Sequence, residues 1–330
     1  MASVSTNTEI PREGSPAFFT RWFGWSMLTL MAAFLINNVL IVWADFPGLA
    51  GWSQGGLAWV HFALYAAAIA LAAFIVNSSR TRSLRWDADL IHRFNLYLIR
   101  AIYWSIFLVG LFDAIIAFMR IEGLDEPLFG EAISSLLKRP NFVGTWVHIP
   151  LVVVGFVMAL FTKTLGFHWL ALLIVIAELL IVISRFVFSY EQAFMGDLVR
   201  YWYAALFLFS SAYTLYEEGH VRVDIIYAGL NRRARGLANS VGTMLLGLTT
   251  AWVILAIAFN GKQSIVNAPV KNFEISQAGP FGMFIKYQMA AFIALFAITM
   301  LIQFVSYFFD AVADKRDEPG HRELNPASAH

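Results

Sequence analysis

The chain has 330 residues, 59% hydrophobic and 14% charged, against about 45–50% and about 25% in an ordinary soluble domain. That balance excludes a soluble globular protein and leaves an integral membrane protein. A formal net charge of +1 provides no global field to recruit nucleic acid, and zero Cys removes disulfides, thiolate metal sites, iron–sulfur clusters and cysteine nucleophiles.

A bilayer core of about 30 Å needs about 20 apolar residues as helix, because irregular backbone cannot face lipid. In chain order the apolar runs are 25–43, 57–76, 96–118, 142–161, 169–188, 201–216, 237–259 and 287–309, which predicts an all-α membrane protein of about eight transmembrane helices. The run 201–216 is the shortest unless Asp197 to Arg200 extend it, and 96–118 carries Arg100 and Asp113 near its ends. Lys and Arg set the orientation. Arg12, Arg21, the cluster Arg80, Arg82, Arg85 and Arg93, the cluster Arg222, Arg232, Arg233 and Arg235, and Lys315, Arg316 and Arg322 all fall on one side. Basic residues concentrate in short cytoplasmic segments, so both termini are expected in the cytoplasm. The outer loops are then 44–56, 119–141, 189–200 and 260–286. No cleavable signal peptide is expected, since the first apolar run lies behind a mixed polar segment and lacks a small-residue cleavage site. Trp43, Trp52, Trp59, Trp22, Trp25, Trp86, Trp146 and Trp169 fall near span ends, where headgroup anchoring accounts for them.

The spans divide four and four at the short connection Thr162–His168, and each half has a basic connection between its second and third spans, Ser78–Arg93 and Glu217–Gly236. In the second, Val223, Ile226, Tyr227 and Leu230 share a helical face while Arg222, Arg232, Arg233 and Arg235 can reach lipid headgroups, which predicts an interfacial amphipathic arm. Phe129, Ile133, Leu136 and Leu137, opened by Glu126-Pro127 and closed by Pro140, predict a second arm in the loop 119–141. Ala66 with Ala70, Ala68 with Ala72, and Thr243 with Gly247 form small faces that let helices approach closely.

Three intramembrane ionisable residues stand out: Glu178 halfway along the fifth run, Arg185 two turns later, and Asp113. Such groups are costly in hydrocarbon. The expectation is that each is satisfied by a helix partner rather than forming an ion relay. His61 and His148 lie in the outer third of their spans, and a haem- or quinone-linked redox anchor is the alternative reading they permit. Glu217, His220 and Asp224 have helical spacing but sit in a polar loop among arginines, where solvated or salt-bridged residues are expected; no metal, cofactor or catalytic residue is assigned. A phosphate-binding loop and hydrolase motifs are missing, so the chain is not expected to be an enzyme or an ATP-driven pump. Pro150 is the lone proline inside a span, so the paired broken helices of an independent secondary transporter are not indicated.

From Trp169 to Asp310 the features come in a specific order. A span ends in Arg185-Phe186-Val187-Phe188, then Asp197-Leu198-Val199-Arg200-Tyr201 opens the next, and Glu218-Gly219-His220-Val221-Arg222-Val223-Asp224 follows it. This run resembles the small membrane subunit, the Q or DctQ type, of tripartite ATP-independent periplasmic (TRAP) transporters, with Asp at 197 in place of the more usual Glu. The resemblance implies a scaffold in a bacterial inner membrane. Its implied partners are a large elevator-type membrane subunit, a periplasmic substrate-binding protein and membrane lipids, with no nucleic acid, for ion-gradient-driven import of an organic acid. It marks Arg185, Asp197, Arg200, His220 and Asp224 as helix or subunit contacts, and Glu178 is expected to be another on the ground of its intramembrane position. The expected division is a cytoplasmic segment 1–24, an extra four-helix region 25–161, a Q-type four-helix scaffold 162–311 and a cytoplasmic tail 312–330. The extra region, as in extended Q subunits, is expected to enlarge the scaffold.

Overall fold

The computed structural model describes residues 10–48, 51, 53, 56–164, 166–217, 227, 229–276 and 278–321. Among them the regular structure is entirely helical. In chain order the helices are α1 (Phe18–Trp43), α2 (Ala58–Asn77), α3 (Leu84–Ile121), α4 (Asp125–Leu137), α5 (Pro140–Phe161), α6 (Phe167–Val187), α7 (Ala193–Tyr216), α8 (Arg232–Ala258), a short α9 (Asn267–Asn272) and α10 (Lys286–Lys315). All but α4, α7 and α9 are long and apolar enough to cross a membrane. Helix α7 is long enough at 24 residues but more polar, because it begins at Ala193 and takes in Asp197 and Arg200.

Helices α1, α3, α7 and α8 start five or more residues before their apolar runs. Helix α3 is 38 residues long, about 57 Å at 1.5 Å per residue, and begins at Leu84 inside the segment read as a connection. Helix α8 begins at Arg232, where Asn231 caps it by accepting the Ala234 N–H at 2.9 Å. Arg232, Arg233 and Arg235 therefore stand in the first turn of a long helix, not on a separate arm. Of the stripe expected in the connection Glu217–Gly236, Val223 and Ile226 lie outside the described residues. The arm expected in the loop 119–141 is present as α4, broken at Gly130 by φ +80°, so that Leu137 is buried while Phe129 and Ile133 are exposed.

Helix α5 contains a π-helical turn at Gly144–His148, in which the Ile149 N–H bonds to the Gly144 carbonyl. Pro150 follows immediately and has no N–H to donate, so the regular ladder cannot run through this point. The extra residue absorbs the break. A second π-helical turn, Thr243–Leu248, lies in α8.

By internal contacts the chain forms two compact units. The first comprises Met1–Phe94, Thr214–Val253 and Met300–His330, the second Asn95–Tyr213 and Ile254–Thr299. Each draws on both sequence halves. In the first, α1 and α2 pack as an antiparallel hairpin, with Ala68 and Ala72 buried and Ala66 and Ala70 exposed, so one of the two small faces on α2 is used. Gly247 of α8 lies against Phe304, whose ring would be 2.8 Å from an added Cβ. In the second unit, Ile102, Ile106 and Val109 of α3 share a core with Tyr201, Trp202 and Phe209 of α7 and with Phe292 of α10. Helices α3 and α5 cross closely at Ser105 and Gly155, where an added Cβ would stand 2.5 Å from the Ser105 nitrogen. Helix α6 attaches through Leu170, Leu173, Ile174 and Ala177, one helical stripe.

Candidate functional site

In the second unit a cluster of buried polar groups holds the backbone that leads into α10. Within the segment Gly282–Ile285 two carboxylates satisfy the amides of Met283 and Phe284. Asp197 Oδ2 accepts the Met283 N–H at 3.1 Å and Asp113 Oδ2 accepts the Phe284 N–H at 2.6 Å. Arg120 completes the clamp: it donates to the Gly282 carbonyl at 2.8 Å and the Leu137 carbonyl at 3.3 Å, and lies over the Phe284 ring at 3.7 Å. Gly282 is required here, because an added Cβ would be 2.6 Å from Asp197 Oδ2.

A chain of side chains extends from this clamp. His148 Nε2 is 3.3 Å from Asp113 Oδ1, and His148 Nδ1 is 2.9 Å from the Tyr287 hydroxyl. That hydroxyl accepts from Gln288 Nε2 at 3.0 Å, and the Tyr201 hydroxyl donates to Gln288 Oε1. Asp113, His148 and Tyr201 are fully buried. The π-helical turn ends at His148 and sets its ring in this line. The arrangement fixes backbone, while Asp113 Oδ1, His148 Nε2 and Arg120 Nε are buried without a hydrogen-bond partner among the described residues.

The neighbouring connecting segments are tied by further pairs. Asp125 at the start of α4 accepts from Ser134 at 2.7 Å and pairs with Lys138 at 3.3 Å. Burial pushes its carboxyl up, but the Ser134 hydrogen bond and the Lys138 ammonium outweigh that and hold it below the ordinary carboxylate value. Tyr190, between α6 and α7, donates to Glu122 at 2.7 Å. Its burial, with the Glu122 carboxylate beside it, pushes the phenol up to about 12.

The first unit carries its charges at one end. Arg21, fully buried, donates to Asp87 at 2.7 Å and to the Ser79 carbonyl and hydroxyl at 2.5 and 2.8 Å; Trp25 also donates to Asp87, at 3.0 Å. Asp314 near the end of α10 receives Arg85 at 2.6 Å and Arg232 at 3.3 Å, and Arg233 pairs with Asp317. Arg316 donates to the carbonyls of Ser15 and Pro16 at 3.4 and 3.1 Å. Burial pushes the Glu318 carboxyl up against the opposing pull of Arg316 and Arg85.

The sequence-expected residues fall in different settings. Asp197 is in the clamp, with Arg200 Nη1 3.8 Å from it on an exposed side chain. Arg185 is exposed and pairs with Glu191 at 3.3 Å. Arg232 and Arg233 are ion-paired within the first unit, and Arg235 donates to the Tyr227 carbonyl at 3.2 Å. His220, Arg222 and Asp224 lie outside the described residues. Of the three intramembrane ionisable residues, Asp113 meets its helix partners as expected and Arg185 pairs across the following turn. Glu178 departs from the expectation: it is exposed and has no hydrogen bond or ion pair among the described residues, because α6 attaches through the neighbouring stripe. Arg120, Tyr201, Tyr287 and Gln288 do not stand out in the sequence; their one signal is that polar residues cluster around the start and end of apolar runs. His61 bonds to Asn37 at 2.6 Å in the first unit, whereas His148 belongs to the second. Among the described residues no group of three His, Asp or Glu can hold a metal ion.

Residues 172–310 match the family model described as tripartite ATP-independent periplasmic transporters, DctQ component. No curated protein and no solved structure matches the chain.

Proposed function

We propose, from the match of residues 172–310 to the model of the DctQ component of TRAP transporters, that the chain is the small membrane subunit of such a transporter, in an extended form. It pairs with a large elevator-type membrane subunit, offers a docking surface to a periplasmic substrate-binding protein, and supports ion-gradient-driven import of an organic acid without binding that acid itself. The family match carries the reading. Structure within the second unit supports it, because the polar cluster there immobilises backbone and provides a rigid frame.

The extra N-terminal helices belong to the frame on this reading. Asp113 and Arg120 of α3 lie outside the matched residues, yet they hold the Gly282–Phe284 segment within them. We assign both termini to the cytoplasm of a bacterial inner membrane. The Arg316 bonds to Ser15 and Pro16 support placing the start of α1 and the end of α10 on one side, and the basic residues gathered at that end support calling it the inside.

Mild-detergent purification of the chain, expressed with its adjacent reading frames, tests the proposal. A stoichiometric, larger polytopic partner is expected. Recovery of the chain alone as a stable, folded protein would overturn it.

A further inference from the structure

Helix α6 is the least buried of the spans: 11% of its apolar stretch is covered, against 56% in α3. Leu170, Leu173, Ile174 and Ala177 bind it to the second unit, and the rest of its surface is open, with Val175, Leu179, Val182 and Phe186 all exposed. Glu178 stands in that open apolar surface. Counting 1.5 Å per residue, it lies about 17 Å from Phe167 and about 14 Å from Val187, at the middle of a hydrocarbon core of about 30 Å. A glutamate side chain is too short to reach either headgroup layer from there, and a carboxylate facing lipid at this depth is among the costliest placements in a membrane. The nearest cation on the helix, Arg185, is two turns away and paired with Glu191.

We propose that the open face of α6 is the seat of the large membrane subunit, and that Glu178 is the ionic anchor of that interface, receiving a lysine or arginine at matching depth on a transmembrane helix of the partner. The inference rests on the proposed subunit role and specifies its contact. Charge complementarity selects the occupant. An apolar face alone is served by lipid, whereas a carboxylate in its centre requires a donor, and this chain supplies none among its described residues. A second copy docked by a two-fold axis through Glu178 brings an identical carboxylate to the same depth and opposes its own binding.

The test uses the full complex. Glu178→Leu is expected to leave the isolated chain folded with an unchanged or higher melting temperature, since it removes a charge from an open apolar face, while weakening retention of the large subunit about tenfold on dilution in mild detergent. Glu178→Lys is expected to weaken it further and to be rescued by an acidic substitution at the partner's cation. A photoreactive residue at position 178 is expected to cross-link to a transmembrane peptide of the large subunit containing Lys or Arg. A wild-type complex that forms while Glu178→Leu retains the partner undiminished, or a cross-link to lipid, to this chain or to a second copy, would overturn the anchor and leave the subunit role standing. A wild-type chain that captures no large subunit would overturn both.

Discussion

Helices α3 and α6 both cross the bilayer and both carry charge within an apolar helix, but they treat it in opposite ways. On α3 most charged residues are met inside the chain: Asp87 by Arg21 and Trp25, Arg85 by Asp314, Asp113 by the Phe284 amide and Arg120 by two backbone carbonyls; Arg100 is the exception, its Nε buried without a hydrogen-bond partner among the described residues. On α6, Glu178 is met by no described residue and Arg185 by a neighbour in the next turn. Desolvated charge is tolerable only when paired. A helix whose charges are paired internally is framework, and a helix whose central charge is unpaired faces something else. On the proposed function, the contrast separates the part of the chain that holds itself together from the part assigned to a partner.

The largest effect is expected from removing α3 altogether. Deleting residues 1–160 strips the clamp of Asp113, Arg120 and His148, and the remaining segment is expected to elute as aggregate in size-exclusion chromatography; a monodisperse segment that retains a partner would break the contrast. Asp87→Ala comes next. It leaves Arg21 buried and uncompensated, for which about 3–5 kcal/mol of lost stability is expected, read as a drop in melting temperature in detergent. Gly155→Val forces a side chain against the Ser105 backbone and is expected to cost about 1–3 kcal/mol by overpacking, seen in the same measurement.

The pH response is smaller and local. Because the folded-state pKa of Asp125 is depressed, its contribution is present above the ordinary carboxylate value of about 3.9 and is lost as pH falls through the lower folded value. Hydrogen-exchange protection across 125–138, corrected for the intrinsic exchange rate at each pH, is therefore expected to be unchanged between pH 7 and pH 5 and lower near pH 3, and Asp125→Asn is expected to abolish the acid-induced change. Arg185→Ala sharpens the comparison from the other side. Its ion pair with Glu191 is exposed, so the isolated chain should lose less than about 1 kcal/mol. Complex stability should fall and the substrate profile stay fixed, and a changed profile with an intact complex would show the contact assignment to be wrong.

The spans are legible in the sequence because unbroken apolar runs of about 20 residues match the thickness of a hydrocarbon core, and the ordered motif from Arg185 to Asp224 carries a resemblance that the match of residues 172–310 supports. The helix starts at Leu84 and Arg232 are not legible. Arg85, Asp87 and Arg232 read as loop charges until their partners, Asp314 and Arg21, are brought beside them by the fold. Asp113 is legible as unusual, but its partners Phe284 and His148 are distant in sequence, and nothing in local periodicity selects them. Pro150 signals a disturbed helix without revealing that the disturbance is a π-helical turn that carries His148 to its partners. Glu178 is singled out by its place in an apolar run, and its exposure, which gives it meaning, is a property of packing.

The most direct test of the subunit assignment is native mass spectrometry of the chain co-expressed with its adjacent reading frames and released from mild detergent. The account predicts one copy of this chain bound to one larger polytopic membrane protein, with the isolated chain appearing only as the complex is activated to dissociate. A spectrum containing only the free chain or a homo-oligomer, with the larger protein expressed in the same membranes, would contradict it.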